Sequence, residues 1–520
     1  MDATPHAPSL LETIEQLDLT DNAEALIQLA QDETLNTDEL IYAVYHLLGK
    51  TRLRSAYILA SFLVVREIQN PFLSIALAAG GLEFRNPEHL AFALANLAPQ
   101  ADAMLTAQPA VYDHIQKTVV DPILTHLLAQ ALMQKDNAQI LRILEMLKAY
   151  TPRFRAMFDW DAPVPEFSLA AMRRRGEEQK SHMLRYPQPP AGVPRQQRRV
   201  LVVLREYIFP NKSWSRPFDI GPRTLSAMNA YGWQTHFFPL KGEDMIAEAN
   251  AIVELVRQEQ FELLVLDDDI MLKVMPLRVD LLARLQGIHP SLKIISCLLD
   301  AWELDPDLLR VCIAAVDGVW TMDAPSRPIW QEPGIAGKVI QLPFPFLEEN
   351  YLPPGAPLTG EPQFFGSISG YNWHRAFWIP AFEQARLPVK SIVATHETDG
   401  LSALASFSIY MRALANATCC INLSMRANQH CTVTGRSFET MFSGALLLQE
   451  TSSDMYRYFI PGEHYLEFAT LPELAAIIRF IQEHPEEAEA VRQRGNAFIH
   501  EHYSDEKIIG AFDKLLFFPD

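Results

Sequence analysis

The chain has 520 residues, of which 49% are hydrophobic and 21% are charged, a composition that excludes a largely disordered protein. Its formal net charge of −19 argues against sequence-independent binding to nucleic acid or to an anionic membrane, because phosphate groups would be repelled over most of the surface. A local basic groove for a phosphorylated ligand is compatible with this charge. The length predicts about three domains.

The cysteines, Cys297, Cys312, Cys419, Cys420 and Cys431, are odd in number and lie outside the spacings of metal sites. We therefore expect reduced thiols, as in cytoplasmic proteins. The N-terminal residues are polar and acidic, unlike a signal peptide, and no apolar run reaches about 18 residues, the length that spans a bilayer. These observations predict a cytoplasmic protein with no integral membrane segment.

Residues 1–150 are predicted to form an all-α domain, because apolar residues recur at helical spacing and no strand pattern is present. Two arrangements satisfy this pattern, a repeat-like stack of antiparallel helix pairs and a plain helical bundle. Residues 151–198 are basic and proline-rich, with Arg173-Arg174-Arg175 and Pro189-Pro190, and they are interpreted as a connector. Its arginines are expected to be solvated or held against the acidic surfaces that it joins.

From residue 199 apolar strands alternate with helices, which indicates a parallel sheet covered on both faces. The predicted strands of this first Rossmann-like domain, residues 199–346, are 200–204, 234–238, 263–266, 293–297, 318–321 and 338–341. A second alternation occupies residues 363–520, with strands near 363–367, 389–393, 419–423, 445–449 and 465–468 and helices at the end. The predicted fold class is therefore α/β, with two tandem Rossmann-like domains preceded by an all-α domain. Ligands of such folds bind at the carboxyl ends of the strands.

The most informative segment runs from Thr434 through Gly435, Arg436 and Ser437 to Glu439. A helix that begins here presents its N-terminal N–H groups, and Arg436 adds a guanidinium, to an anion such as a diphosphate. Glu439 lies three residues after Arg436 and so shares its helix face, where a carboxylate can accept hydrogen bonds from two ribose hydroxyls. The same pattern also fits an ordinary capped helix that a glycine ends before a buried strand.

The C-terminal region resembles the group 1 glycosyltransferases of GT-B fold, and in particular their CgeB-like branch. The matching motifs cover about 150 residues and include Phe365-Gly366-Ser367, Ile421-Asn422-Leu423-Ser424, Gly435-Arg436-Ser437-Phe438-Glu439, Gly444-Ala445-Leu446-Leu447-Leu448 and Pro461-Gly462-Glu463-His464-Tyr465. The resemblance implies that residues 363–520 bind a nucleotide-sugar donor and that residues 199–346 face the acceptor. It extends to residues 200–345 only at the level of fold.

When the family's functional residues are carried over to the matching positions, the resemblance implies that Glu439 binds the donor ribose and Arg436 its diphosphate. The neighbouring donor-binding candidates are Thr434, Gly435 and Ser437. Gly366 and Ser367 are expected against the phosphates or the sugar, and Arg375 is a second candidate phosphate contact, although an exposed arginine at a helix start is the alternative. Many group 1 enzymes also carry a glutamate eight residues before the ribose glutamate. Cys431 occupies that position here, so donor-sugar recognition cannot be inferred from those enzymes.

Two carboxylates are candidates for the general base of an inverting transfer. Asp300 follows the strand at 293–297, and Asp219 belongs to the long segment after the first strand. A further acidic triplet, Asp267-Asp268-Asp269, superficially resembles a DxD metal motif, but a strand end followed by a helix cap is the favoured interpretation.

The predicted function is a metal-independent glycosyltransferase that moves a hexose from a nucleotide-diphosphate sugar to a protein or glycan acceptor. No cofactor is expected apart from this donor. The alternatives are a nucleotide-sugar epimerase of the same fold and a non-catalytic protein in which the helical region binds a partner. The oligomeric state stays open, and a homo-oligomer is compatible with the sequence.

Overall fold

The computed structural model describes residues 9–64, 70–134, 136–189, 195–206, 220–271, 274–299, 301, 304–323, 327–347, 358, 361–366, 374–393, 403–417, 419–425 and 431–518. The part before residue 152 is helical throughout its described residues. Its helices are α1 (Leu10–Leu19), α2 (Ala23–Gln31), α3 (Thr37–Gly49), α4 (Leu53–Leu63), α5 (Pro71–Glu83), α6 (Pro87–Ala107), α7 (Pro109–Ile115), α8 (Asp121–Met133) and α9 (Asn137–Tyr150). None of the helices in the described part of the chain is long and apolar enough to cross a lipid bilayer.

Helix α5 forms the centre of this helical region. Its residues from Leu73 to Leu82 are all buried, and it contacts α3, α4, α6, α8 and α9. Gly80 lets the ring of Tyr57 lie directly against the helix, because a Cβ atom at Gly80 would come within 2.2 Å of the Tyr57 ring. Whether the helices form a repeat-like stack stays a prediction.

The predicted connector contains two helices, α10 (Pro152–Met157) and α11 (Leu169–Gln179), and both contact the second sheet's domain. The ring of Phe158, just after α10, lies 4.8 Å from the ring of Trp378 in that domain. Arg173 on α11 donates a hydrogen bond from Nε to the carbonyl of Gly462 at 3.0 Å. The helical region is thus attached to the second sheet by one continuous hydrophobic cluster.

The first sheet is parallel, with strand order β2-β1-β3-β4-β5-β6. Its strands are β1 (Arg199–Arg205), β2 (Gln234–Leu240), β3 (Leu263–Asp267), β4 (Lys293–Leu298), β5 (Gly318–Thr321) and β6 (Val339–Gln341). The helices between them are α12 (Ile220–Tyr231), α13 (Met245–Gln258), α14 (Asp268–Met271), α15 (Met275–Ile288) and α16 (Pro306–Ala314). Strands β1, β3 and β4 are buried almost along their whole length, as expected of a sheet with helices on both faces.

The second sheet is also parallel and has the order β11-β10-β9-β7-β8. Its strands are β7 (Gln363–Gly366), β8 (Lys390–Val393), β9 (Cys419–Asn422), β10 (Leu446–Glu450) and β11 (Leu466–Phe468). The accompanying helices are α17 (Arg375–Gln384), α18 (Ala403–Ala417), α19 (Gly435–Phe442), α20 (Leu471–Glu483), α21 (Pro485–His502) and α22 (Asp505–Phe517). Read from β8, the order β8-β7-β9-β10-β11 corresponds to the first five strands of the first sheet, β2-β1-β3-β4-β5. The strand order therefore reverses between β7 and β9. Doubly wound folds bind ligands at such a point.

Helix α22 packs against the first sheet, although it follows the second along the chain. The ring of Phe512 lies 4.5 Å from that of Trp320 on β5, and Asp513 accepts a buried hydrogen bond from Arg198 at 2.9 Å. Asp505, at the start of α22, accepts hydrogen bonds from the backbone of the segment that leaves the first domain. The predicted fold class, two Rossmann-like domains preceded by an all-α part, is confirmed, whereas the predicted domain limits stay predictions.

Candidate functional site

Helix α19 begins at the carboxyl ends of β9 and β10, where the sequence places its candidate site. Thr434 precedes the helix in an extended conformation, and its side chain makes no capping hydrogen bond to the helix. The N–H of Ser437 donates to the carbonyl of Thr434 at 3.1 Å, while the N–H groups of Gly435 and Arg436, which precede it in the first turn, keep their capacity to bind an anion. The helix ends at Phe442, and Gly444, whose φ of 73° is left-handed, turns the chain toward β10.

A buried polar network fixes the orientation of α19 on the sheet. Asn422, the last residue of β9, donates from Nδ2 to the hydroxyls of Thr434 (3.1 Å) and Ser437 (2.9 Å) and to Oε1 of Gln449 (2.8 Å). Ser437 also donates to Gln449 Oε1 at 3.0 Å. The side chains of Thr434 and Ser437 thus hold the helix in place, and their predicted contacts with a donor stay predictions.

Arg436 and Glu439 lie on one face of α19, as their spacing predicts. Nε of Arg436 is 4.0 Å from Oε2 of Glu439, and its guanidinium carbon is 4.9 Å from the ring centre of Tyr410 on α18. The Glu439 side chain is only 11% exposed, whereas that of Arg436 is 25% exposed. Glu439 is therefore held rigidly at the base of the site, and Arg436 is the more accessible of the two.

Sequence reasoning missed a third charged residue, Arg223 on α12 of the first domain. Its Nη1 lies 3.5 Å from Oε1 of Glu439, and its side chain is 6% exposed. The ring of Phe346, 5.7 Å from the Arg223 guanidinium, stacks on Phe438 of α19 at 5.4 Å. The sequence offered one indication of this role, the position of Arg223 in the helix after the first strand. In a doubly wound sheet the start of that helix points toward the binding crevice.

These three side chains bring two guanidinium groups and one carboxylate together where the two domains meet. The local charge is positive although the whole chain carries a formal charge of −19. Burial strengthens each of these electrostatic interactions because the surrounding dielectric is low. The arrangement can accept an anion beside a group that binds hydroxyls.

Arg375 and Gly366 have structural roles in the described residues. Arg375 is 9% exposed and donates from Nε (3.1 Å) and Nη2 (2.8 Å) to the carbonyl of Leu423, so it is not the exposed arginine of the alternative interpretation. A Cβ atom at Gly366 would come within 2.6 Å of the ring of Phe364, which explains the glycine by packing. Their predicted donor contacts stay predictions.

The first two residues of the acidic triplet, Asp267 and Asp268, form buried ion pairs. Asp267 accepts hydrogen bonds from Nε and Nη2 of Arg205, both at 2.7 Å, and Asp268 accepts from the same two atoms of Arg278 at 2.7 and 2.6 Å. Asp267 ends β3 and Asp268 begins α14, in line with the strand-end interpretation. Within the described ranges no group of three or more His, Cys, Asp or Glu residues could hold a metal ion.

Three predicted site residues, Asp219, Asp300 and Ser367, lie outside the described residues. Cys431 is described. Burial, with a smaller contribution from Glu450, raises the pKa of its thiol to about 12, so the side chain is neutral where many group 1 enzymes carry a carboxylate.

Two facing Rossmann-like domains with a charged cleft between them define the GT-B architecture. Residues 366–512 match the protein-family model described as glycosyl transferase-like, which supports the predicted glycosyl transfer and places the match in the second Rossmann-like domain. This match does not distinguish the CgeB-like branch, which stays a prediction. A search of curated proteins by sequence returned no match to this chain.

Solved structures with similar folds include HepE of Anabaena in complex with UDP and glucose, which is 10% identical, with a TM-score of 0.43 over 62% of this chain and 99% of that one. A variant of the O-GlcNAc transferase of Thermobaculum terrenum is 12% identical, with a TM-score of 0.36 over 92% of this chain and 96% of that one. Sucrose-phosphate synthase of Thermosynechococcus elongatus is 12% identical, with a TM-score of 0.40 over 61% of this chain and 97% of that one. These similarities are too weak to add to the argument.

Proposed function

We propose that this glycosyltransferase takes a hexose from a nucleoside-diphosphate sugar and transfers it to a hydroxyl group of a glycan or protein, in the cytoplasm. The observation that carries the proposal is the convergence of Arg436, Glu439 and Arg223 at the N-terminus of α19, in the cleft between the domains. This set of groups matches the chemistry of a nucleoside diphosphate, which presents a dianionic diphosphate next to ribose hydroxyls.

Each group has a defined part in this proposal. Glu439 accepts hydrogen bonds from the ribose hydroxyls, while Arg436 and the first-turn N–H groups of α19 bind the diphosphate. Negative charge grows on the diphosphate as the bond to the sugar breaks, and fixed positive groups stabilise that charge without reorganising. Arg223 comes from the opposite domain, so its contribution depends on the two domains being closed over the donor.

We also propose that the transfer needs no metal ion or other cofactor. Two guanidinium groups and the helix N-terminus supply the positive charge that a divalent cation provides to diphosphates elsewhere. Asp267 and Asp268 are already neutralised by buried arginines. Asp300 and Asp219 remain the proposed candidates for the general base.

The test is a thermal-shift screen of the protein against UDP, GDP, dTDP and CDP and their sugars. A ligand at about 100 times its Kd stabilises the folded form by about 2.7 kcal/mol, which is easily measured. We expect one nucleotide family to raise the Tm. Glu439→Gln should weaken this binding about tenfold to a hundredfold, because it removes the charged acceptor of the ribose hydroxyls. Glu483→Gln, at an exposed position of α20, is the matched control.

Inorganic pyrophosphate separates the two halves of the site. Its binding should not weaken in Glu439→Gln, since the variant keeps both arginines and removes a negative charge beside them. A parent protein that binds no nucleoside diphosphate would refute the proposal. Formation of an epimer of the donor sugar without transfer would identify an epimerase instead.

A further inference from the structure

Two neighbouring cavities lie over the carboxyl ends of β10 and β11, beneath helices α10 and α11. The larger has a volume of about 420 Å³ and the smaller about 260 Å³. Both are lined by Thr451, which follows β10, and by Ala469, which follows β11. They therefore adjoin each other along the edge of the sheet, and together they have the size of a small-molecule site.

The larger cavity contains a buried carboxyl group, that of Glu467 on β11. The residue is 7% exposed and lines the cavity, and its Oε2 accepts a hydrogen bond from the hydroxyl of Tyr456 at 3.0 Å. The buried hydroxyl of Tyr465 lies beside the carboxyl group of Glu467 and interacts with it. Each carboxyl oxygen has two lone pairs, so Glu467 can still accept a hydrogen bond from a ligand in the cavity.

Burial is the main cause that raises the pKa of Glu467 to about 7, with Tyr456, Arg175 and Tyr465 acting in the opposite direction. Near neutral pH this carboxyl group therefore occurs in both protonation states. It can accept a hydrogen bond in one state and donate one in the other, which suits a hydroxyl group as partner.

The remaining lining is amphipathic. Phe167, Met172 and Ile477 supply apolar surface, while Glu166 and Glu473 lie at the exposed side of the cavity. Glu473 is held by hydrogen bonds that its Oε2 accepts from the backbone N–H groups of residues 469 and 470. A sugar ring has the complementary character, with apolar C–H faces and a rim of hydroxyl groups. Arg175 also lines the cavity, but the carboxyl groups of Glu166, Glu467 and Glu473 outnumber it, so the lining favours neutral sugars over acidic sugars and phosphates.

The smaller cavity extends this surface toward the donor domain's binding edge. It is lined by Arg153 of α10 and by Glu450, whose Oε2 accepts hydrogen bonds from the N–H groups of Ser424 (2.7 Å) and Met425 (2.8 Å). Met425 forms a β-bridge with Cys431, shortly before α19 begins. Through Glu450 the cavity is therefore linked to Met425, whose bridge partner Cys431 lies four residues before the start of α19.

We propose that the two cavities form one groove that binds a neutral carbohydrate, the glycan acceptor, between the connector helices α10 and α11 and the second Rossmann-like domain. The acceptor role rests on the proposed function, whereas carbohydrate binding by the groove does not depend on it. The groove also gives the connector a direct role in the reaction, because α10 and α11 form its roof.

The test measures binding of glucose, galactose and N-acetylglucosamine to the full-length protein by saturation-transfer NMR, with glucuronate and glucosamine as charged comparators. Ala171→Phe places a ring in the roof of the larger cavity, and Ala170→Phe, on the exposed side of α11, is its control. Glu467→Gln tests the carboxyl group while keeping its shape. Circular dichroism and the nucleotide thermal shift establish that each variant is folded.

We expect at least one neutral sugar to bind, and both Ala171→Phe and Glu467→Gln to weaken that binding about tenfold or more, since each removes space or a strong hydrogen bond. Ala170→Phe should bind as the parent does. The inference is overturned if no neutral sugar binds, if glucosamine alone binds, or if Ala171→Phe leaves the affinity unchanged. If the parent protein binds a neutral sugar but no nucleotide, the proposed function is refuted while carbohydrate binding by the groove is supported.

Discussion

Replacing Glu467 by Gln should change how the stability of the protein depends on pH. The pKa of Glu467 is raised from 4.5 to about 7 in the folded protein, chiefly because the group is buried. The folded state therefore holds this proton at pH values where the unfolded chain has released it. The corresponding stability is fully present below about pH 4.5 and is lost as the pH rises through about 7.

The magnitude follows from the size of the shift. At about 1.4 kcal/mol for each pH unit, the difference between 4.5 and about 7 amounts to about 3 kcal/mol. About 2 kcal/mol of this lies between pH 5.5 and pH 8, because the unfolded chain is already mostly deprotonated at the lower value. A glutamine at this position cannot titrate, so Glu467→Gln should lack this part of the pH dependence.

Urea denaturation of the parent and of Glu467→Gln at about pH 5.5 and about pH 8 measures the difference. We expect the parent to lose about 2 kcal/mol more than the variant between the two values. Glu483→Gln, on the exposed surface of α20, should follow the parent. If the parent and Glu467→Gln show the same pH dependence, the carboxyl group is not buried in the way described and the reasoning fails.

Three further substitutions test the fold around the site. Gly80→Ala should destabilise the helical region by about 1–3 kcal/mol, because the added methyl group on α5 would overlap the Tyr57 ring of α4. Gly287→Ala, with open space around it in α15, should stabilise by about 0.5–1 kcal/mol, and equal Tm changes of the two variants would contradict this reasoning. Asp267→Asn removes the carboxylate charge that pairs with the buried Arg205 and should cost about 3–5 kcal/mol in urea denaturation. A stable variant, or parent activity that a chelator abolishes, would contradict the structural role of the pair. Phe158→Ala should lower the free energy of unfolding by about 3–5 kcal/mol, because it removes the ring that packs on Trp378. Limited proteolysis of this variant should begin at α10 and α11. Cleavage that begins in the first sheet would contradict the attachment of these helices to the second domain.

The strands and helices could be predicted because their patterns are local. The apolar strand 263–266 and the helix that begins at Gly435 are bounded by residues that stop or start such elements, and the structure has them within a residue or two. The contact between Arg436 and Glu439 was also predictable, because a spacing of three residues places both side chains on one helix face.

The missed features depend on contacts between distant segments. The sequence pattern of α12 shows that one face is buried, but it does not say that Arg223 meets Glu439 of the other domain. In the same way, the amphipathic helices before residue 152 do not reveal that they pack on the second sheet rather than the first. Hydrophobic burial is non-directional, so periodicity identifies a buried face without identifying its partner.

The packing of α22 on the first sheet also sets an order for biosynthesis. Arg198 and Asp513, which pair in that interface, are 315 positions apart. On the ribosome the first Rossmann-like domain is therefore complete only after nearly all of the second has been made, and until then the face of Trp320 that Phe512 covers stays exposed. Nascent chains thus carry exposed apolar surface on the first domain until α22 is made, the kind of surface that chaperones protect.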